Sequence, residues 1–316
     1  MRILIVGAGA IGGYFGGRLL EAGRDVTFLV RARRAAELAA HGLEIRSAAG
    51  NFHRPRPPTV EAKSLRGPYD VVLLSCKAYD LDDAIGSFAP AVGAATAILP
   101  LLNGMRHLDA LDRRFGAGAV LGGQCVISAA LGEGGRIEHL NDSHLISFGE
   151  RDGTRSARVA AIEAACAGAR FEARPSNAIL QEMWEKWVLI ATLAGITCLM
   201  RGTIGDIVAA GGADLATALL DECDAIAREQ GFAMREGSRR RNVALLTAPG
   251  SGFAASMLRD VERGGPTEGE HVLGDLLHRS SRPAHAPSLL RIASLHVATH
   301  EARRARLLAA EARPRV

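Results

Sequence analysis

The chain opens on a short apolar run, Ile3–Val6, that breaks at Gly7. A run of that length stopped by glycine reads as a buried strand, and Gly12–Ala22 reads as the helix that follows it. Val26–Val30 repeats the pattern and ends at Arg31. "DVVLLSCKA" (Asp70–Ala78) follows a Gly-Pro turn signal and stops at Lys77, and "TAILPLLNG" (Thr96–Gly104) stops at Asn103. Continuous apolar strands alternating with helical stretches predict a parallel sheet covered on both faces. Ligands of such sheets bind at the carboxyl ends of the strands, where Gly9, Arg31, Lys77 and Asn103 all fall.

Ala119–Val126 and His144–Glu150 are expected to add strands at the edge of that sheet. Phe171–Ser176, which contains Pro175, is the expected linker between domains. Beyond it the pattern turns helical over Ile179–Met200, Asp214–Gln230 and Gly269–His278. The tail from Glu301 to Val316 reads as a helix end fraying into solvent.

Gly7, Gly9 and Gly12 make G-x-G-x-x-G between the first strand and its helix. The first glycine permits a tight turn, the second lets the backbone approach a pyrophosphate, and the third allows close packing of helix on strand. Gly7, Ala8, Gly9, Ala10, Ile11 and Gly12 are therefore the expected dinucleotide cradle, with the helix N-terminus aimed at the phosphates. A glycine turn with only a structural role is the alternative. An NAD-binding chain usually carries a carboxylate about 20 residues on, to hold the ribose 2′-hydroxyl. That place reads Val30-Arg31-Ala32-Arg33-Arg34 here. A carboxylate repels a 2′-phosphate whereas arginine offers it a planar fork of donors, so NADP (NADPH) is the expected cofactor. The other reading of these arginines is a solvated basic loop.

Composition narrows the function classes. The 316 residues suffice for two domains. Lys and Arg exceed Asp and Glu by 38 to 34, and aromatics make up only 4%. That balance fits attraction of a small anionic ligand and argues against nucleic acid. The five cysteines are scattered, without metal-ligand or disulfide-framework spacing, so reduced thiols and no metal are expected. No signal-peptide core is visible and no apolar run approaches the roughly 18 residues of a membrane span, which leaves the cytoplasm by elimination.

Taken in order, the glycine turn, Arg31, "SCKA", "LLNGM", "EMWEKW", "ASMLRDV" and "PTEGEHVLG" resemble the ketopantoate reductases. These are 2-dehydropantoate 2-reductases, NADPH-dependent enzymes of pantothenate biosynthesis. The resemblance runs from Met1 to about Arg291. It implies an α/β fold class, with an N-terminal Rossmann-type dinucleotide-binding domain (residues 1–175) and an all-α C-terminal domain (residues 176–316). It places the active site in the cleft between them. It implies that Lys77 and Asn103 line the cofactor, with Asn103 also reaching the substrate. It makes Lys186 the proton donor, Ser256 a substrate contact and Glu268 a residue near the nicotinamide end, with a backbone contact at Ala129-Ala130, Ala130 being the better match. The chemistry makes the same demand of Lys186, because hydride delivered to a ketone carbon leaves charge on oxygen that a positioned donor must neutralise. Read without the resemblance, Lys186 is a solvated surface residue, Ser256 and Glu268 are ordinary helix and surface positions, and Asn103-Gly104 is a turn.

The chain also departs from the family. Asparagines that follow the catalytic lysine and contact the substrate hydroxyl are replaced by Ile190 and Ala194, one and two turns beyond Lys186 on the same helix face. A third is replaced by Ile204 of "TIGDI". Losing hydrogen-bonding groups weakens discrimination for a hydroxylated substrate. The expected activity is NADPH-dependent reduction of a small 2-keto acid, with ketopantoate or a less polar keto acid as substrate and a homodimer as a possible assembly. Two other readings stand beside it: a non-catalytic NADPH-binding sensor, and a dehydrogenase of 3-hydroxy acids, which the isoleucine at position 190 does not suit.

Overall fold

All four apolar runs become strands of one parallel sheet. The computed structural model describes residues 1–283 and 285–311. The chain begins β1 (Arg2–Val6), α1 (Ala10–Glu21), β2 (Asp25–Leu29), α2 (Ala32–His41), β3 (Leu43–Arg46), β4 (Phe52–Arg54), β5 (Thr59–Val60) and β6 (Val71–Leu74). It continues through α3 (Leu81–Phe88), β7 (Ala97–Pro100), α4 (Arg106–Phe115), β8 (Gly122–Leu131), β9 (Ile137–Gly149), α5 (Ala157–Cys166) and β10 (Glu172–Pro175). The first sheet has the order β5-β2-β1-β6-β7 and every pairing in it is parallel. Each residue of β6 and β7 is buried, which is why these strands read as unbroken apolar runs rather than alternating ones.

The edge expectation for the next two strands is corrected. They form one long antiparallel hairpin, β8 on β9, inside a second sheet of order β10-β9-β3-β4. Just before the hairpin, Val120 forms a parallel bridge with Ile98 of the first sheet. A hairpin whose strands pair with each other satisfies its backbone without the parent sheet, so it is free to diverge from β7. The expected linker is also corrected: residues 172–175 are β10, parallel to β9 in the register Glu172↔Leu145 to Pro175↔Phe148. Proline is tolerated there because the strand is an edge one.

Backbone clustering divides the chain into one unit of residues 1–102 and 107–180, and a second of residues 103–106 and 181–316. The second unit is helical: α6 (Ile179–Met200), α7 (Ile204–Ala209), α8 (Ala213–Glu229), α9 (Glu236–Leu246), α10 (Ser256–Glu262), α11 (Asp275–His278) and α12 (Leu289–Glu311). Helix α6 has the predicted bounds. By length and composition it would cross a membrane, contrary to the expectation of no such run, but 72% of its apolar window is buried within the protein, as befits a core helix. The predicted helix at 269–278 is α-helical only over Asp275–His278, and Glu270–Gly274 is a π-helical turn. Long-range capping ties the unit together: Glu222 on α8 accepts from the amides of Leu289 and Leu290 at 3.0 Å each, satisfying orphan donors at the start of α12. Residues 312–316 of the expected fraying tail lie outside the described residues.

Candidate active site

The residues expected to cradle a dinucleotide lie at the carboxyl ends of β1, β2 and β6. Gly7 turns the chain at a φ of 93°, a conformation that disfavours any side chain. A Cβ on Gly12 would stand 2.1 Å from Ser75 Oγ and 2.2 Å from the Gly7 carbonyl oxygen, so only glycine lets α1 start this close to the strand. At Gly9 a Cβ would meet nothing within 4 Å. Gly9 is also the N-cap of α1, and no side chain caps the first turn. Open space facing uncapped amides suits a pyrophosphate. Ala8 is buried, while Ala10 and Ile11 are half-buried. Ser75, which sequence reasoning passed over, pins β6 to this turn by donating to the Val6 carbonyl at 3.0 Å.

The three arginines separate into different roles. Arg34 is largely buried; its Nε donates to the Ala8 carbonyl and its Nη2 to the Gly135 carbonyl, both at 2.9 Å. It clamps the glycine turn to the β8–β9 hairpin. Arg33 is exposed and pairs with Glu37 one turn on. Arg31, the N-cap of α2, places Nη2 2.7 Å from Asp80 Oδ1. Lys77 is half-buried just after β6, and Ala130 is half-buried on β8 opposite Glu138.

The second unit gathers the other predicted residues. Lys186 is half-buried on α6, flanked by Trp184 and Trp187, which are 2% and 1% exposed with ring centroids 4.8 Å apart. Trp187 Nε1 donates to the Val272 carbonyl at 2.9 Å, locking α6 to the π-helical turn. On the Lys186 face, Ile190 keeps some exposure and Ala194 is 1% exposed, while Ile204, at the start of α7, is fully buried. Ile190 is thus the one of the three with surface to offer a ligand. Thr197, on the same face, accepts from the amide of Ala255 at 3.5 Å, which sets the start of α10 and its exposed first residue Ser256. Glu268 is half-buried immediately before the π-helical turn.

Two features here were not visible in the sequence. Glu185 is 5% exposed and takes both arms of Arg235 at 2.7 Å, together with the Arg235 amide at 2.9 Å and the Ser238 hydroxyl at 2.8 Å. His271 packs on Gly104, whose φ is 76°; a Cβ there would lie 3.0 Å from the His271 carbonyl oxygen and 3.1 Å from its ring. The ring also hydrogen-bonds the Asn103 backbone, and burial pushes its pKa below the usual histidine value. Asn103 is therefore held at its backbone by the His271 ring. A π-helical turn, often found at functional sites, was the structural signal for His271.

Residues 3–153 match the family described as ketopantoate reductase PanE/ApbA, and residues 178–294 match its C-terminal counterpart. This chain belongs to the ketopantoate reductase family. An uncharacterized oxidoreductase, YkpB, of Bacillus subtilis is 38% identical over 96% of this chain and 99% of that one. The crystal structure of 2-dehydropantoate 2-reductase from Geobacter metallireducens superposes with a TM-score of 0.83 at 28% identity, covering 95% of this chain and 99% of the other. D-mandelate dehydrogenase, solved with NADH and anilino(oxo)acetate, shares the fold at a TM-score of 0.85 and 18% identity, with 96% and 100% covered. Ketopantoate reductases are oxidoreductases acting on CH–OH groups of small acids, and members of the family bind NAD(P)H. The Rossmann-type first unit and helical second unit are those of the family.

Proposed function

We propose that this protein is an NADPH-dependent reductase converting a 2-keto acid to the 2-hydroxy acid, with Lys186 as proton donor. The observation that carries the reading is Lys186 itself: a half-buried lysine that lies in sequence between two buried tryptophans, on the helix face that also carries Ile190. When bound, NADPH supplies the hydride. The glycine turn and the amides of α1 hold its pyrophosphate, Arg31 and Lys77 the adenosine end, and Ala130 and Glu268 the remainder. Asn103 and Ser256 orient the keto acid. The Lys186 ammonium stabilises the carbonyl oxygen as charge develops and then transfers its proton there, and solvent returns a proton to the amine. The buried thiols fit a reducing, cytoplasmic setting: burial pushes Cys198 and Cys223 up to about 12. A homodimer is the assembly this reading carries, and sedimentation reads it directly.

An NADPH-oxidation assay over a panel of 2-keto acids tests the activity. Tight NADPH binding with no turnover on any of them would leave a sensor rather than an enzyme. Cofactor choice follows from Arg31: NADPH is expected to bind about tenfold tighter than NADH, or about 1.4 kcal/mol. Arg31→Ala narrows that gap more than Arg33→Ala or Arg34→Ala, and equal affinities in the unaltered protein would contradict the reading.

Ile190 favours a substrate less polar than ketopantoate. It presents aliphatic surface one turn beyond Lys186, where positions four apart stack on one face. Keto acids with plain alkyl side chains are expected to compete well with ketopantoate, and Ile190→Asn to shift kcat/KM toward ketopantoate by about fivefold, near 1 kcal/mol of new hydrogen bonding. Because Ala194 is buried, an asparagine added there would bury an amide instead, and the single change is the cleaner variant. A natural preference for ketopantoate over its unhydroxylated analogue would show that other residues hold the hydroxyl, leaving ketopantoate and pantothenate biosynthesis as the assignment.

A further inference from the structure

Arg31 is already engaged. Its Nη2 lies 2.7 Å from Asp80 Oδ1 and 3.6 Å from Asp83 Oδ2. Arg31 follows β2 and Asp80 follows β6, strands on opposite sides of β1. An ion pair between residues 49 apart therefore spans the carboxyl end of β1, beside the glycine turn. Arg34 is committed to the Ala8 and Gly135 carbonyls and Arg33 to Glu37. The guanidinium best placed for a 2′-phosphate thus stands against two carboxylates.

We propose that Asp80, reinforced by Asp83, is a selectivity-determining residue that competes with the 2′-phosphate for Arg31 and so limits the preference for NADPH over NADH. The proposal rests on the reading of Arg31 as the 2′-phosphate contact. A phosphate dianion arriving at Arg31 must either displace Asp80 or share the guanidinium with it, at a separation where like charges repel. NADH meets no such penalty, because its 2′-hydroxyl donates to a carboxylate, the role an acidic residue plays at the end of the second strand in NAD-binding folds. One side chain therefore opposes one nucleotide and accepts the other. The contrary effect, in which Asp80 helps by holding Arg31 still, is the smaller one: Arg31 is 68% exposed, and pairs that open to water orient their partners weakly.

The test is calorimetric titration of the full chain and its Asp80→Asn and Asp83→Asn variants with NADPH and with NADH. Asparagine keeps the shape of aspartate and can itself donate to a phosphate. Asp80→Asn is expected to tighten NADPH about three- to tenfold while NADH changes by no more than about twofold and only toward weaker binding. Asp83→Asn is expected to act in the same direction and less, because its carboxylate is farther from Arg31 and 84% exposed. If both nucleotides bind the unaltered protein and their affinity ratio is unmoved by Asp80→Asn, the proposal fails while the dinucleotide reading stands. A ratio that moves toward NADH also overturns it, and would make Asp80 the residue that positions Arg31 for the phosphate. If neither nucleotide binds the unaltered protein, the dinucleotide reading falls and this proposal with it.

Discussion

Replacing Lys186 with alanine is expected to lower kcat about 10²- to 10⁴-fold, or roughly 3–5 kcal/mol of transition-state stabilisation. On the proposed reading the loss falls on kcat, because the proton is needed as the carbonyl oxygen gains charge, whereas the glycine turn and Arg31 are the proposed NADPH contacts. Nucleotide affinity in Lys186→Ala is accordingly expected to stay within about twofold of the parent. Lys186→Arg separates charge from proton transfer: a guanidinium preserves the positive charge but does not release its proton, so turnover is expected to recover only in part. Pre-steady-state and steady-state kinetics on both variants check this, with melting curves to confirm folding. Turnover near that of the parent in Lys186→Ala would return Lys186 to an ordinary surface role.

The second large effect concerns Glu185, next to Lys186 in sequence and turned away from it into the protein. Burial alone would push this carboxyl up, but hydrogen bonds from the Arg235 side chain and amide, Ser238 and Gln181 outweigh it and hold the pKa at about 2. Its value in an unfolded chain is 4.5. A folded pKa below the unfolded one contributes stability that is fully present above about pH 4.5 and is lost as pH falls toward 2. The depression corresponds to about 3 kcal/mol, and Glu185 is 5% exposed, so little of it is screened at the carboxylate itself. Glu185→Gln, which keeps the volume and removes the charge, is expected to cost about 2–3 kcal/mol at pH 7. It should also flatten the acid limb of the stability curve between pH 4.5 and 2. Urea unfolding of both proteins across that range decides the matter; parallel acid limbs would show that the Glu185–Arg235 pair contributes nothing. The pair also joins α6 to the start of α9 one residue from Lys186, so its loss is expected to loosen the lysine's placement.

Much of this was legible in the chain as a string of residues. The apolar runs at Ile3–Val6, Val26–Val30 and Asp70–Ala78 gave the sheet core, because strands buried on both faces leave an unbroken apolar signature. The helix Ile179–Met200 was readable to its ends. The glycine spacing identified the tight turn between β1 and α1, since Gly12 is demanded by a steric contact that any Cβ would violate. The order of short motifs identified the family. These are local properties, encoded in neighbours a few residues apart.

The tertiary structure alone decided which strands joined which sheet and what each charged residue does. Residues 172–175 resemble a linker until β9 supplies their hydrogen-bond partners. Arg31, Arg33 and Arg34 are indistinguishable in sequence, yet one faces Asp80, one lies exposed beside Glu37 and one is buried against the glycine turn. Ile190 and Ala194 share a helix face, but only the surrounding helices determine that the first retains surface and the second does not. Glu185 and Arg235 stand 50 residues apart and His271 is far in sequence from Asn103. Pairing energies of this kind arise only once folding has brought distant segments within a few ångströms and removed the water between them, so no local pattern announces them.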